Sequence, residues 1–347
     1  MIIVIGAGQA GLAVGRELRL AGHDVLVLEA HSRVGETWRR RWDSLHLFTS
    51  ARLSSLPGLP LPGDGGRYPH KDEVAAYLET YATHFDLPIR LGTSVRQLRR
   101  AEDGTFEVVT DHRTFTAEGV VVATGPFQRP HIPALPLAPD IVAVHSAHYR
   151  NPGQLPDGPV LVAGGGNSGM QIAAELCADR QVTVALGTRK PVLPQRVLGR
   201  DLFAWLQVAG VVRAPVTSRL GRLVRRRDPL IGAGPEQLRR SGVRVVDRIV
   251  SVEGNRFRTA EGETVTPSAV IWATGYRPDY RWMRIPGALD GDVPLHIGGI
   301  SPVPGLTYVG LPFQSSRGSA LLGWVGEDAA RVAQSYPSRG HAITVRP

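Results

Sequence analysis

Two glycine turns of one design constrain this chain more than any other feature. Gly6-Ala7-Gly8-Gln9-Ala10-Gly11 follows the apolar run Ile2–Ile5, and Gly164-Gly165-Gly166-Asn167-Ser168-Gly169 follows Val160–Ala163. Four apolar residues ahead of a glycine turn read as a strand buried on both faces, the environment of a parallel sheet. After each turn the pattern becomes helical, from about Gln9 to Leu20 and from 168 to 178. A second strand follows each helix, at Asp24–Leu28 and at Val182–Leu186. Each set is a βαβ unit with a right-handed crossover. Between them, Asn151-Pro152-Gly153 and Pro156-Asp157-Gly158 are turn formers that read as a linker. The expected fold class is α/β, with two Rossmann-like dinucleotide-binding domains.

The rest of the chain fits around these units. Residues 38–68 carry Pro57, Pro60, Pro62 and a glycine cluster and read as a long irregular segment. A helix is expected over Lys71–His84, a β-meander over 94–98, 105–110 and 113–117, and a buried strand at 119–124. Residues 187–235 are rich in Arg and Pro with helical patches. Strands are expected at 243–250, 256–259, 270–274 and 306–309, and a helix from about 326 to 336.

Composition excludes several classes. No apolar run approaches the roughly 20 residues of a membrane span, and no signal peptide is read at the N-terminus, so a cytoplasmic location is expected. Cys177 is the only cysteine, which removes disulfide redox pairs and cysteine metal sites, and it reads as a small buried hydrophobe on a helix. No metal site is expected; His145 and His148 are too isolated for one. The net charge of +9 comes almost wholly from Arg. With no nucleic-acid motif beside Arg39–Arg41 or Arg225–Arg227, it reads as surface charge with some phosphate contacts, so neither nucleic acid nor membrane is expected as a partner.

The chemistry lies in the turns. In the first, Gly6 permits the tight bend, Gly8 lets the backbone approach a pyrophosphate, and Gly11 lets the helix pack against the strand. The helix N-terminus opening at Gln9 and Ala10 offers free N–H groups and a positive dipole end. Glu29, 23 residues after Gly6, can accept from both ribose hydroxyls. The position 23 residues after Gly164 is Gly187, followed by Thr188, Arg189 and Lys190. A guanidinium pairs with a 2′-phosphate that a carboxylate would repel. The first site therefore prefers FAD or NAD, and the second prefers NADP.

Taken in order, the motifs resemble the class B flavin monooxygenases, including the flavin-containing and the plant auxin-forming enzymes, and look closest to short bacterial members. The residues that carry this are the first turn with Glu29; Gly35-Glu36-Thr37-Trp38; Trp42-Asp43-Ser44-Leu45; Ala123-Thr124-Gly125; His145 to Tyr149; the second turn with Arg189; Ala273-Thr274-Gly275-Tyr276; and Gly310–Ala330. The resemblance implies a three-layer, glutathione-reductase-like two-domain flavoprotein, with a discontinuous FAD domain at 1–150 and 278–347 and an NADPH domain at 151–277. It implies FAD on Gly6, Gly8, Gln9, Ala10, Gly11, Glu29, Gly35, Thr37, Trp38, Val95, Ala123, Thr124 and Gly125. It implies NADPH on Gly164, Gly166, Asn167, Ser168, Gly169, Arg189 and Lys190, with Ala273, Thr274 and Gly275 on the same side. Trp38, Thr49 and Arg317 are candidates near the flavin. The implied reaction is reduction of FAD by NADPH, then transfer of one oxygen atom from O2 to a small organic nucleophile through hydroperoxyflavin. A homodimer is compatible with this. Three departures stand out. Phe48 occupies the place of a family Asn. The F-x-G half of the family fingerprint is lost at Pro139 and Ile141, while His145 and Tyr149 keep the rest, with Tyr149 for the Trp usual in Baeyer–Villiger members, which points to heteroatom or acid oxidation. The chain is also short. A reductase or oxidase without stable hydroperoxyflavin is the rival enzyme reading, and a nucleotide-binding redox sensor the non-enzymatic one.

Overall fold

The computed structural model describes residues 1–337, so residues 338–347 of the expected C-terminal segment lie outside the described residues. Two five-stranded sheets, parallel throughout, dominate it. The first runs in the order Leu306–Tyr308, Gly119–Val122, Ile2–Ile5, Val25–Leu28, Ile89–Arg90. The second runs Arg244–Asp247, Val182–Leu186, Val160–Ala163, Ala269–Trp272, Val142–His145. The central strand of each is the one before a glycine turn. Ile2–Ile5 and Val160–Ala163 are both buried along their full length, because one face of each sheet packs on helices and the other on an antiparallel β-layer.

The repeat therefore extends beyond the βαβ units to entire sheets, but each sheet takes an outer strand from far along the chain. The first receives Leu306–Tyr308 after the second unit is complete. The second receives Val142–His145, upstream of the expected boundary at 150. Two connectors, Arg129–Pro130 and Tyr276–Arg277, pair antiparallel where the chain passes between the units. The meander forms as expected from Val95–Arg100, Phe106–Thr110 and Thr114–Ala117, and Met283–Arg284 adds to it in parallel. The strand expected at 243–250 is two strands: Arg244–Asp247 in the second sheet and Ile249–Glu253 in a separate antiparallel ribbon, broken at Arg248.

The helix Gln9–Leu20 packs on Val325–Gln334, and Lys71–His84 holds the irregular segment in place. The Tyr77 hydroxyl donates to Leu59 O (2.6 Å) and accepts from Leu56 N (2.7 Å), while the Tyr81 hydroxyl donates to Pro57 O (2.8 Å). Burial pushes the Tyr77 phenol up to about 12, so it stays a donor at any physiological pH. Residues 187–235 contain the helices Leu202–Val208 and Arg219–Arg226, and a third, Pro235–Arg240, starts at their end. The first of these supplies Leu202 and Phe203 to a small core with Val212 and Ile231, closed by Trp324 from the C-terminal region.

Candidate functional site

Each glycine of the first turn has a distinct steric reason. Gly6 has φ +104°, and a Cβ on it would lie 2.8 Å from the Ala123 carbonyl oxygen. A Cβ on Gly11 would lie 1.8 Å from the Gly6 carbonyl oxygen, so the helix can approach the strand only without a side chain there. Gly8 differs: its φ of −75° suits any residue, and nothing lies within 4 Å of its would-be Cβ. The protein itself does not need glycine at Gly8; the space in front of it does. Gly8 caps the helix without a side-chain partner, so the first-turn N–H groups remain available to an anion.

Glu29 closes this turn. Its nearly buried carboxylate accepts from Ala7 N (2.8 Å), His31 N (2.9 Å) and, at 2.7 Å, contacts His31 Nδ1. Gln9 bridges three segments: Oε1 accepts from Trp38 Nε1 (3.2 Å) and Nε2 donates to Ala320 O (3.0 Å). Gly35, at φ +77°, starts the short helix Glu36–Arg39 that carries Thr37 and Trp38, and a Cβ on it would strike the Ala75 backbone. Ala10 and Ala123 are buried against the turn, while Thr124 is exposed and accepts from Gln128 Nε2 (2.9 Å). Val95 is half-buried at the start of the meander.

The second turn repeats this construction atom for atom. A Cβ on Gly164 (φ +136°) would lie 2.2 Å from Ala273 O, and one on Gly169 would lie 2.1 Å from Gly164 O. Gly166 (φ −85°) again faces open space. Asn167 Oδ1 accepts from Ile231 N (3.1 Å), Ser168 is half-buried in the first helical turn, and Thr274 Oγ1 donates to His131 O beside Gly275. The turn opens into a cleft of about 410 Å³ lined by Gly165, Thr188, Arg189, Lys190, Arg239 and Arg240, among others. Arg239 and Arg240, on the helix Pro235–Arg240, were not legible as site residues because nothing local marks them as lying opposite Arg189. Arg189 is exposed, 4.0 Å from Asp247 Oδ1. Asp247 pairs in register with Leu186, so a carboxylate does stand near the second turn, on the neighbouring strand rather than at position 187.

Around the expected flavin face, Thr49 is buried with its hydroxyl against Ser54 Oγ (2.8 Å). Phe48 stacks on Phe203 (5.6 Å between centroids), which contacts Trp324 (5.8 Å). The Arg317 guanidinium lies 5.1 Å from the Phe203 ring centre and pairs with Asp228 (3.0 Å) with its side chain only 9% exposed. Trp38 and Gln9 share a bond, but Thr49 and Arg317 are each engaged by other protein groups.

The linker residues are structural in position. His145 Nδ1 accepts from Ala147 N (3.1 Å), which leaves Nε2–H to donate to Gly275 O (3.0 Å); burial lowers its pKa and keeps it neutral. Tyr149 is fully buried and donates to Glu175 Oε2 (2.8 Å). Tyr149 thus ties the linker to the helix Asn167–Leu176. Cys177 is half-buried at the end of that helix rather than fully buried, with Sγ donating to Ala174 O (3.3 Å). Among the described residues no group of three or more His, Cys, Asp or Glu could hold a metal ion.

Two glycine turns with open space in front of Gly8 and Gly166, each following the central strand of its own parallel sheet, are the arrangement at which open α/β sheets bind dinucleotides. Over residues 3–292 the sequence matches the family described as pyridine nucleotide-disulphide oxidoreductase, and the chain belongs to that family. It is 44% identical over 333 residues to the uncharacterized oxidoreductase CzcO-like of Geobacillus kaustophilus, covering 94% of this chain and 95% of that protein. It is 31% identical over 376 residues to indole-3-pyruvate monooxygenase YUCCA1 of Oryza sativa subsp. japonica, covering 96% and 90%. Among solved structures it is similar to a flavin-containing monooxygenase from Stenotrophomonas maltophilia, with TM-score 0.80, 28% identity and 96% of each chain covered. The protein is an oxidoreductase of this flavin-monooxygenase-like type. Disulfide exchange within one chain needs two cysteines, and this chain has one.

Proposed function

We propose that the protein is an NADPH-dependent FAD monooxygenase that transfers one oxygen atom from O2 to a small organic nucleophile. The observation that carries the assignment of cofactors is the pair of equivalent cradles with opposite charge at the ribose position: Glu29 at the first, Arg189 and Lys190 at the second. FAD fits the first cradle, held by Gly6, Gly8, Gln9, Ala10, Gly11 and Glu29, with Gly35, Thr37, Trp38, Val95 and Ala123-Thr124-Gly125 around it. NADPH fits the second, on Gly164, Gly166, Asn167, Ser168 and Gly169, with Arg189 and Lys190 toward the 2′-phosphate and Ala273-Thr274-Gly275 alongside. The FAD domain comprises 1–150 and 278–347 and the NADPH domain 151–277, with the strand Val142–His145 reaching ahead into the second sheet.

Bound there, the flavin supplies hydride acceptance from NADPH and reaction with dioxygen. The chain's own residues place and seal. Open backbone N–H groups at Gly8 and Gly166 receive the pyrophosphates, Gln9 fixes Trp38 against the first turn, and Phe48, Phe203 and Trp324 form an apolar wall. Such a wall excludes water, which strengthens the electrostatics of the enclosed site. The small-molecule substrate and O2 are the partners, and the location is cytoplasmic; no helix among the described residues is long and apolar enough to cross a membrane.

The test is rapid mixing of NADPH-reduced protein with oxygen. A transient near-ultraviolet species that lives longer with NADP⁺ present, together with an oxygenated product from a panel of amines, thioethers, ketones and 2-oxo acids, is expected. One observation favours a second reading, an NADPH-dependent reductase or oxidase: the Phe48–Phe203 stack fills the place of the family Asn with apolar rings. Immediate return of oxidised flavin with peroxide, whatever the NADP⁺ concentration, would establish that reading instead.

A further inference from the structure

The protein's charge is not spread evenly. Residues 191–227 hold eight arginines (Arg196, Arg200, Arg213, Arg219, Arg222, Arg225, Arg226 and Arg227) against a single carboxylate, Asp201, in a chain whose net charge is +9. All eight arginines are exposed and, among the described residues, only Arg213 has a carboxylate partner, Glu327 (2.5 Å), whereas Asp201 is turned inward, accepting from Ser50 N and Phe203 N.

The same segment exposes large apolar side chains. Leu198 is 88% exposed, Val208 86%, Leu223 50%, Leu220 42% and Trp205 39%. They fall on two structures. In the first, the hairpin Arg196–Asp201 leans on the helix Leu202–Val208: Trp205 Nε1 donates to Val197 O (3.0 Å), and the Arg200 guanidinium lies 5.8 Å from the Trp205 ring centre. Leu198 thus follows the residue that Trp205 holds, and Val208 lies one helical turn beyond Trp205. The helix is apolar on both sides, with Leu202 and Phe203 buried inward. In the second, the helix Arg219–Arg226 exposes Leu220 and Leu223, one turn apart, between Arg219, Arg222, Arg225 and Arg226. Both structures stand on one C-terminal loop, through Gly318 N to Val212 O (3.1 Å) and Val216 N to Ser315 O (2.8 Å).

We propose that residues 191–227 form a peripheral docking surface for an anionic lipid bilayer. Basic side chains interleaved with Leu, Val and Trp on short exposed helices suit the headgroup boundary, where the arginines meet lipid phosphates and the apolar groups enter the acyl edge. Charge complementarity selects this occupant. A second copy of the same face would set seven arginines without a carboxylate partner against seven, and a nucleic acid would satisfy the arginines while leaving Leu198, Val208 and Leu223 in water. Such a surface lies on the membrane without spanning it. In residue order alone, 187–235 is rich in Arg and Pro with helical patches and no membrane partner is expected; only the structure leaves Leu198, Val208 and Leu223 outside. The helix Leu202–Val208 has a second consequence: its inner residue Phe203 packs on Phe48, Trp324 and Arg317, so the docking surface and the wall of the candidate site are two faces of one element.

The test is co-sedimentation of the full-length, FAD-loaded protein with vesicles of phosphatidylglycerol and phosphatidylcholine, against vesicles of phosphatidylcholine alone. Binding to the anionic vesicles only is expected. It should fall by at least about tenfold in Leu198→Asp with Val208→Asp and, independently, in Arg222→Glu with Arg225→Glu. NADPH turnover in solution should be retained in both variants, which separates loss of docking from loss of fold. Absence of binding to anionic vesicles overturns the proposal. So does binding that depends on the arginines but is indifferent to Leu198→Asp with Val208→Asp, since that is plain electrostatic adsorption of the kind DNA would also give. A concentration-dependent dimer that the Leu198 and Val208 changes dissolve, without vesicle binding, assigns the face to a second copy instead.

Discussion

The glycines at Gly8 and Gly11 are three residues apart, yet the structure gives them opposite reasons for being glycine. At Gly11 the reason is internal: an alanine methyl would sit 1.8 Å from the Gly6 carbonyl oxygen, roughly half an ordinary contact distance. The helix must move or the turn must open, so Gly11→Ala should destabilise the fold by about 1–3 kcal/mol with or without cofactor. At Gly8 the backbone is already extended and a methyl would touch no protein atom. Gly8→Ala should leave the cofactor-free protein as stable as before, or more stable by about 0.4–1 kcal/mol through the reduced freedom of its unfolded chain. Its methyl would nevertheless stand where a pyrophosphate must approach the backbone. Loss of one charge-assisted hydrogen bond, about 1.5–3 kcal/mol, corresponds to about 10- to 150-fold weaker FAD binding. Thermal melts of stripped protein and fluorimetric FAD titration measure the two quantities separately. Gly166→Ala should behave the same way toward NADPH and leave FAD content intact. If Gly8→Ala destabilises the stripped protein as much as Gly11→Ala does, or binds FAD with undiminished affinity, the steric reasoning about the open cradle is wrong.

Arg189→Ala should raise the apparent NADPH constant by at least about tenfold in steady-state kinetics and leave NADH use nearly unchanged, with Lys190→Ala doing less; full NADPH preference in both would shift the 2′-phosphate to Arg239 or Arg240 across the cleft. Asp228→Asn removes the partner of the nearly buried Arg317 guanidinium and should lower stability by about 1.5–3 kcal/mol in denaturant titrations, unlike Asp157→Asn at an exposed turn. Burial holds the pKa values of His145 and His296 below the ordinary histidine range. The unfolded chain therefore binds more protons than the folded one as pH drops through about 6.5. Stability should be full above that value and decline below it, until the depressed folded-state values are reached. Melting temperatures from pH 7.5 down to 5 test this, and His145→Gln should flatten the slope.

Much of this was open to a reading of residues in order. The strands beside the glycine turns, the helices Gln9–Leu20 and Lys71–His84 and the meander follow from local apolar period and turn chemistry, because burial on both faces or on one face writes itself into neighbouring residues. The exchange of Glu29 for Gly187-Thr188-Arg189-Lys190 was equally plain, since the two turns are copies that can be counted against each other. Contacts between distant segments were not legible. That Tyr149 ends in the core against Glu175, that Phe203 covers Phe48, and that Arg317 is engaged by Asp228 depend on how separate elements pack. No local pattern encodes that.

By itself, then, the sequence determined two dinucleotide cradles, their order, and the charge that distinguishes them, because each cradle is made from residues within one strand–turn–helix–strand unit and those just after it. Only the tertiary structure decided which strands complete each sheet, with Val142–His145 and Leu306–Tyr308 arriving from outside their own units. It alone set Asp247, Arg239 and Arg240 beside Arg189, and left Leu198, Trp205 and Val208 in solvent. Side chains separated by tens of residues meet through the closing of sheets and the docking of helices, and their exposure depends on which faces remain uncovered when that packing is complete.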